Sequence, residues 1–184
     1  MKGFLAVALV VLLQELPGAT PVPKDANWVK RHEGFVQEAK KGECELLFLG
    51  DSITDGWRNK PKAIFQAAFG PYQPLNFGIS GDRTQHVLWR IQNGELDGIK
   101  PKVAVIMIGT NNIGQKDNPE KPESAVAGVT AIVSHLKSKL PTMKILLLGV
   151  FPRDEKPDHP RRAMVKEINA GIAKLDDGGK SVQF

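Results

Sequence analysis

Apolar residues along this chain fall into two alternating patterns, short unbroken runs and stretches at helical spacing. The run Leu46-Leu47-Phe48-Leu49 is halted by Gly50-Asp51, the signature of a strand buried on both faces. Similar runs recur at residues 75–78, 103–109 and 145–150, and Val182-Gln183-Phe184 reads as the start of a fifth. Between them, apolar positions three and four apart predict helices over residues 28–39, 63–69, 84–92, 124–140 and 162–175, the first of them ended by Lys40-Lys41-Gly42. Strands alternating with helices need crossover connections, so the pattern implies parallel βαβ units. The expected fold is a three-layer α/β/α sandwich around an open parallel sheet.

The amino-terminal end reads differently. Residues 17–24 contain Pro17, Gly18, Pro21 and Pro23, which predicts an extended leader outside the core. Upstream, Met1-Lys2-Gly3 gives a short positive end and residues 4–13 form an unbroken apolar run. That is the form of a signal-peptide core, shorter than the roughly 20 apolar residues of a membrane span. Cleavage is expected after Ala19 or Thr20, with a buried N-terminal helix or an uncleaved anchor as the other reading. The expected organisation is a signal peptide and leader over residues 1–20, one domain over residues 21–184, and a secreted or periplasmic location without a stable membrane span.

Composition narrows the functional classes. With 184 residues, 41% hydrophobic and 24% charged, the chain can bury a normal core without metal or disulfide support. Cys44 is the single cysteine, expected as a buried or half-buried thiol at a strand entrance, and no Cys/His spacing fits a zinc site. The net charge of +5 is scattered. Even the densest basic stretch, with Arg153, Lys156, Arg161 and Arg162, is interleaved with Asp154, Glu155 and Asp158, so no nucleic-acid partner is expected.

In open parallel sheets, ligands sit beyond the carboxyl ends of the strands. The segments predicted there are Gly50-Asp51-Ser52-Ile53-Thr54, Gly78-Ile79-Ser80-Gly81-Asp82, Gly109-Thr110-Asn111-Asn112 and Phe151-Pro152-Arg153. Ser52 would stand at the start of a helix, where outward N–H groups favour developing negative charge. Gly-Asp-Ser alone reads better as a turn and helix cap, and it is not the Gly-x-Ser-x-Gly elbow. Three such segments in order change the picture, because a tetrahedral intermediate needs donors converging on its oxyanion. The Gly81 N–H and the Asn111 amide are suitable types.

These three blocks resemble the first three conserved blocks of the SGNH (GDSL-type) hydrolases. The stretch over residues 75–96, with Gly81-Asp82-Arg83-Thr84-Gln85-His86-Val87-Leu88-Trp89-Arg90, is similar in particular to the branch of the alpha subunits of platelet-activating-factor acetylhydrolase. The resemblance runs from about Trp28 to the end and implies the flavodoxin-like SGNH fold. It implies Ser52 as nucleophile, with an oxyanion hole of the Ser52 N–H, the Gly81 N–H and the Asn111 side chain, and neither cofactor nor metal. The implied activity is that of a serine esterase, which the signal-peptide reading makes a secreted one, cleaving an acyl group such as acetyl from a small-molecule or carbohydrate ester through an acyl-Ser52 intermediate.

The family's fourth block, Asp-x-x-His, does not occur here. Asp158 and His159 are adjacent and fall one strand too early, so His159 is read as loop surface and the domain as C-terminally incomplete. His32 and His135 are read as solvated or packed on helices, and His86 as a packing or substrate contact rather than a base. Asp51 is expected to accept local N–H groups, and Trp57 and Trp89 to pack in the core or at the rim. The alternative from another class is a non-catalytic SGNH shell used for binding or scaffolding, or a gene fragment.

Overall fold

The structure is a computed structural model that describes residues 16–114 and 119–184; the apolar run at residues 4–13 lies outside them. Five parallel strands, β1 (Leu46–Gly50), β2 (Pro74–Gly78), β3 (Val103–Met107), β4 (Lys144–Leu147) and β5 (Val182–Gln183), form one sheet in the order β2-β1-β3-β4-β5. Among the described residues six α-helices accompany them: α1 (Ala26–Ala39), α2 (Ser52–Asp55), α3 (Lys62–Phe69), α4 (Thr84–Gln92), α5 (Pro122–Lys139) and α6 (Pro160–Ile172). The three-layer parallel α/β arrangement is the one the sequence predicts. The apolar run at 103–109 outlasts β3 because the chain turns at Gly109, where φ is +128°, and the run at 145–150 outlasts β4. Beyond β4, Asn169 of α6 replaces a strand partner, accepting from the Val150 N–H at 2.8 Å and donating to the Val150 carbonyl at 2.9 Å.

Helix α1 starts where the Asp25 carboxylate accepts from the N–H groups of Asn27 and Trp28, which satisfies two donors that have no helical partner. Its residues Trp28, His32, Phe35 and Ala39 recur every three or four positions and are buried together. Side chains alternate across each strand, so Leu47, Leu49, Phe77, Ala104, Ile106, Ile145 and Leu147 share one face. There they join Phe35, Val87, Ile91, Val129, Ile132 and Ile168 in a single core. Phe48 points the other way, against Phe65 and Phe69 of α3 with ring centroids 5.0 and 5.1 Å away. Cys44 is buried at the entrance to β1, and burial pushes its thiol up to about 11.

The expectation of an extended leader outside the core is corrected at its first residues. Pro17–Ala19 is a 3₁₀ turn with Gly18 and Ala19 buried, lying against α5 and α4. The Gly18 N–H donates to Ser124 Oγ at 2.8 Å, and the Gly18 carbonyl accepts from Thr84 Oγ1 at 2.9 Å. Proline favours the first position of such a turn. The docking depends on a tertiary fit: a Cβ on Gly18 would lie 2.1 Å from the Ser124 carbonyl oxygen, and one on Gly128 would lie 2.3 Å from the Gly18 carbonyl oxygen.

Candidate active site at the carboxyl rim of the sheet

In the sheet register Gly50 lies opposite Gly78 on one side and Met107 on the other. The three loops that follow β1, β2 and β3 therefore leave the rim at one level, side by side. Ser52 begins α2 at the first of them and is exposed. Asp51 is buried just before it and accepts from the Ile53 N–H at 2.9 Å, the local role expected of it; burial holds its carboxyl above the usual range, with the Arg153 charge opposing. The turn is tight because two glycines allow it. A Cβ on Gly50 would lie 2.1 Å from Thr54 Oγ1, and one on Gly78 would lie 2.4 Å from the Asp55 nitrogen. Asn76 fastens the arrangement by donating to the Thr54 carbonyl at 2.7 Å and accepting from the Gly78 N–H at 2.9 Å.

Gly81 is exposed at the second loop with φ +77°, a left-handed conformation that favours glycine. Among the described residues nothing accepts from the backbone N–H of Ser52 or Gly81. Asn111, on the third loop, donates one amide hydrogen to the Asp82 carbonyl at 2.8 Å, and the amide carries a second. The segment holding Gly81 is anchored from behind. The buried Asp82 carboxylate accepts from Trp28 Nε1 at 2.7 Å and Arg90 Nε at 3.0 Å. Arg90, wholly buried and 5.9 Å from the Phe35 ring, also pairs with Glu95, which meets His32 at 3.1 Å. Burial pushes the Asp82 carboxyl up to about 6, against the pull of Arg90 and Trp28. Removing one member of such a buried ionic chain strands the others, at about 3 to 5 kcal/mol.

The four histidines are engaged away from Ser52. His32 is packed, with its ring nitrogens against Glu95 and the Asn93 carbonyl. His86 Nδ1 accepts from the Arg83 N–H at 3.0 Å; burial first, then the charges of Lys24, Arg83 and Arg90, lower its pKa to about 4. His159 is loop surface, as read from the sequence, and caps α6 by accepting from the Arg161 N–H at 3.2 Å. His135 sits half-buried on α5 with its pKa lowered by burial. Trp89 packs against Trp28 at 5.4 Å. Trp57 is 37% exposed and, with Ile53, Thr54, Met107, Leu148 and Phe151, lines an apolar groove of about 340 Å³ beside α2.

Three supporting residues escaped the sequence reading. Asn112 accepts from the Thr84 N–H at 3.2 Å and donates to Glu120 at 2.9 Å, and Arg153 donates to the Thr110 carbonyl at 2.6 Å. Asn112 was findable, since it ends the Gly-Thr-Asn-Asn block. Arg153 was placed at the rim by its segment after the fourth strand but given no role, whereas Glu120 carries no local signal and only the folded chain brings it to the rim. Among the described residues, no three His, Cys, Asp or Glu side chains gather as a metal site, and no helix is long and apolar enough to cross a membrane.

Comparison with known proteins agrees with this architecture. The GDSL-like lipase/acylhydrolase family model matches residues 48–184. The human platelet-activating factor acetylhydrolase IB subunit alpha2 is 40% identical over 172 residues, covering 88% of this chain and 72% of that protein. The human alpha1 subunit is 37% identical over 161 residues, covering 85% and 66%. Among solved structures, a platelet activating factor protein of Streptococcus pneumonia superposes with TM-score 0.64 at 24% identity, covering 97% of this chain and 79% of that one. An acetyl xylan esterase of Geobacillus stearothermophilus superposes with TM-score 0.57 at 24% identity, covering 74% and 73%. These structural likenesses carry the fold, and the sequence matches carry the family: the chain belongs to the GDSL-like lipase/acylhydrolase family, a group of SGNH-type ester hydrolases.

Proposed function

We propose that this protein is a secreted serine esterase that transfers a small acyl group to Ser52 and then to water. The observation that carries the reading is the shared level of Gly50, Gly78 and Met107 in adjacent strands, which sets the loops of Ser52, Gly81 and Asn111 next to one another. In the proposed reaction Ser52 Oγ attacks the ester carbonyl carbon while a base takes its proton. The carbonyl oxygen becomes an oxyanion facing the Ser52 and Gly81 N–H groups and the second Asn111 amide hydrogen. Collapse expels the alcohol, which receives the proton from the base, and water then releases the acyl group by the same route. The acetylhydrolase names of the relatives favour acetyl, and the positive end followed by the apolar run at residues 4–13 favours export; a cut after Ala19 or Thr20 would remove the buried Pro17–Ala19 turn, so the mature chain is proposed to keep it.

The base is proposed to be the His of an Asp-x-x-His block, as the SGNH resemblance implies; the 184 residues contain no such block. His32, His86 and His159 are held instead by Glu95, the Arg83 N–H and the Arg161 N–H, and this chain spans 72% of alpha2. The same engagement favours a second reading, a non-catalytic SGNH shell for binding or scaffolding. Hydrolysis of nitrophenyl acetate by the chain, with and without an added Asp-x-x-His segment, separates the two; an extended chain that stays inert favours the second. In the active form Ser52→Ala should lower turnover by about 10⁴-fold or more without changing the melting temperature, and Asn111→Ala should lower kcat by about 10²-fold with little change in KM. Near wild-type turnover in Ser52→Ala would remove it as nucleophile, and unchanged kcat in Asn111→Ala would remove it from the oxyanion hole.

A further inference from the structure

The Pro17–Ala19 turn does more than cover a helix pair, because its hydrogen bonds feed into the loop that carries Asn111. Thr84 Oγ1, which donates to the Gly18 carbonyl at 2.9 Å, accepts from Asn112 Nδ2 at 3.0 Å. Ser124 Oγ, which accepts from the Gly18 N–H, donates to Glu120 at 2.6 Å, and Glu120 accepts from the same Asn112 amide at 2.9 Å. Two routes thus run from one buried glycine to one buried asparagine. A further tie, from the Val22 N–H to the Gln85 carbonyl at 3.4 Å, secures the segment that follows the turn. Asn112 is fixed to Thr84, and its neighbour Asn111 is fixed to the Asp82 carbonyl at 2.8 Å. The third rim loop is therefore pinned to the second at two points, and the amino-terminal turn closes the network behind the pin.

The packing is specific to this contact. On Gly128 of α5 a Cβ would lie 2.2 Å from Thr84 Oγ1 and 2.3 Å from the Gly18 carbonyl oxygen, and on Gly18 it would lie 2.1 Å from the Ser124 carbonyl oxygen. Two side-chain-free positions face each other across the polar contact, which lets the backbone come close enough for its N–H and carbonyl to be used. We propose that the Pro17–Ala19 turn is a positioning element of the oxyanion hole, acting through Thr84 and Ser124 on Asn112 and so on the placement of the Asn111 amide. It rests on the reading of Asn111 as an oxyanion donor. Catalytic hydrogen bonds act only at the right place, and a displacement of about 1 Å far from the chemistry can lower a rate by about 10²-fold.

The test uses the full chain in its active form and two variants. Thr84→Val keeps the side-chain shape and removes the hydroxyl, whereas Gly18→Ala blocks the docking itself. Backbone amide exchange over residues 109–114 and the separate values of kcat and KM are measured for both, with Thr84→Ser as the conservative control. The expected result is exchange about tenfold faster in that loop and kcat about tenfold lower at unchanged KM in Thr84→Val, with both restored in Thr84→Ser. A lower melting temperature with loop exchange and kcat unchanged would overturn the proposal and leave the turn as packing alone. If the parent shows no turnover, the esterase reading falls and loop exchange alone decides: faster exchange in Thr84→Val sustains the positioning of the Asn111 loop, and unchanged exchange ends it. Should Gly18→Ala fail to fold, the Thr84 pair carries the decision.

Discussion

On one face of the sheet Leu147 is 1% exposed within a core shared with α1, α4, α5 and α6, whereas its neighbour Leu146, pointing the other way, is 38% exposed beside an open groove. The two leucines are adjacent in one strand and chemically the same. What differs is what lies across from them. The first face is closed from β2 to β5 by helices, while on the second Phe48 is met by Phe65 and Phe69 of α3 and the surface over Val105 and Leu146 opens into the groove. An apolar run therefore identifies a strand with two apolar faces, and the coverage of each face is decided by other parts of the chain. The candidate active site stands on the rim between these two environments, with Asn111 anchored on the closed side and Ile53, beside the nucleophile, lining the open groove.

The comparison can be broken in three ways, and the largest effect is expected on the closed side. Ile106→Ala, at a fully buried site, should lower unfolding free energy by about 4 kcal/mol in urea titration, the transfer cost plus the cavity left behind. A loss under about 1 kcal/mol would mean that this core is loosely packed. The next effect concerns His86, whose pKa is depressed from 6.5 to about 4. Below pH 6.5 the unfolded chain binds a proton that the folded chain refuses, so stability falls as pH drops through this window. The His86 share of that loss should reach on the order of 3 kcal/mol by pH 4. His86→Gln should flatten the acid limb of the stability profile between pH 6.5 and 4, and an unaltered limb would assign the acid sensitivity to other groups. The smallest effect belongs to the open side, where Leu146→Gln should change unfolding free energy by less than about 1 kcal/mol. The same variant should reduce binding of a hydrophobic dye, and undiminished dye binding would move the exposed apolar surface elsewhere.

Much of this arrangement was legible in the residues. The strands announce themselves as β-branched and leucine runs, the helices as periodic stripes, and the rim blocks as clusters of glycine with short polar side chains. The site's supports were less visible for a physical reason. Asp82 lies inside a recognisable block, but nothing local says that its carboxylate meets Trp28 and Arg90, 54 residues upstream and 8 downstream. The docking of Gly18 on Ser124 spans 106 residues and rests on the missing side chains of two glycines, so composition, which read this segment as an extended leader, gave neither the turn nor its destination. His159 shows the opposite case, since its place after the fourth strand was enough to read it as loop surface, although its capping of α6 was not foreseen.

The close approach at Gly50 and Gly78 sets a limit on how this scaffold can diversify. Any side chain at either position would push the start of α2 off the sheet, and a methyl group already meets atoms at 2.1 to 2.4 Å. The nucleophile turn is thus a fixed mount that tolerates almost no drift, and a saturation library at these two positions should return glycine. Changes in acyl preference have to be written where side chains are free to grow or shrink, at Ile53, Trp57 and Phe151, each more than a third exposed. Selection for new substrates can then recut the surroundings of Ser52 while its own coordinates stay put.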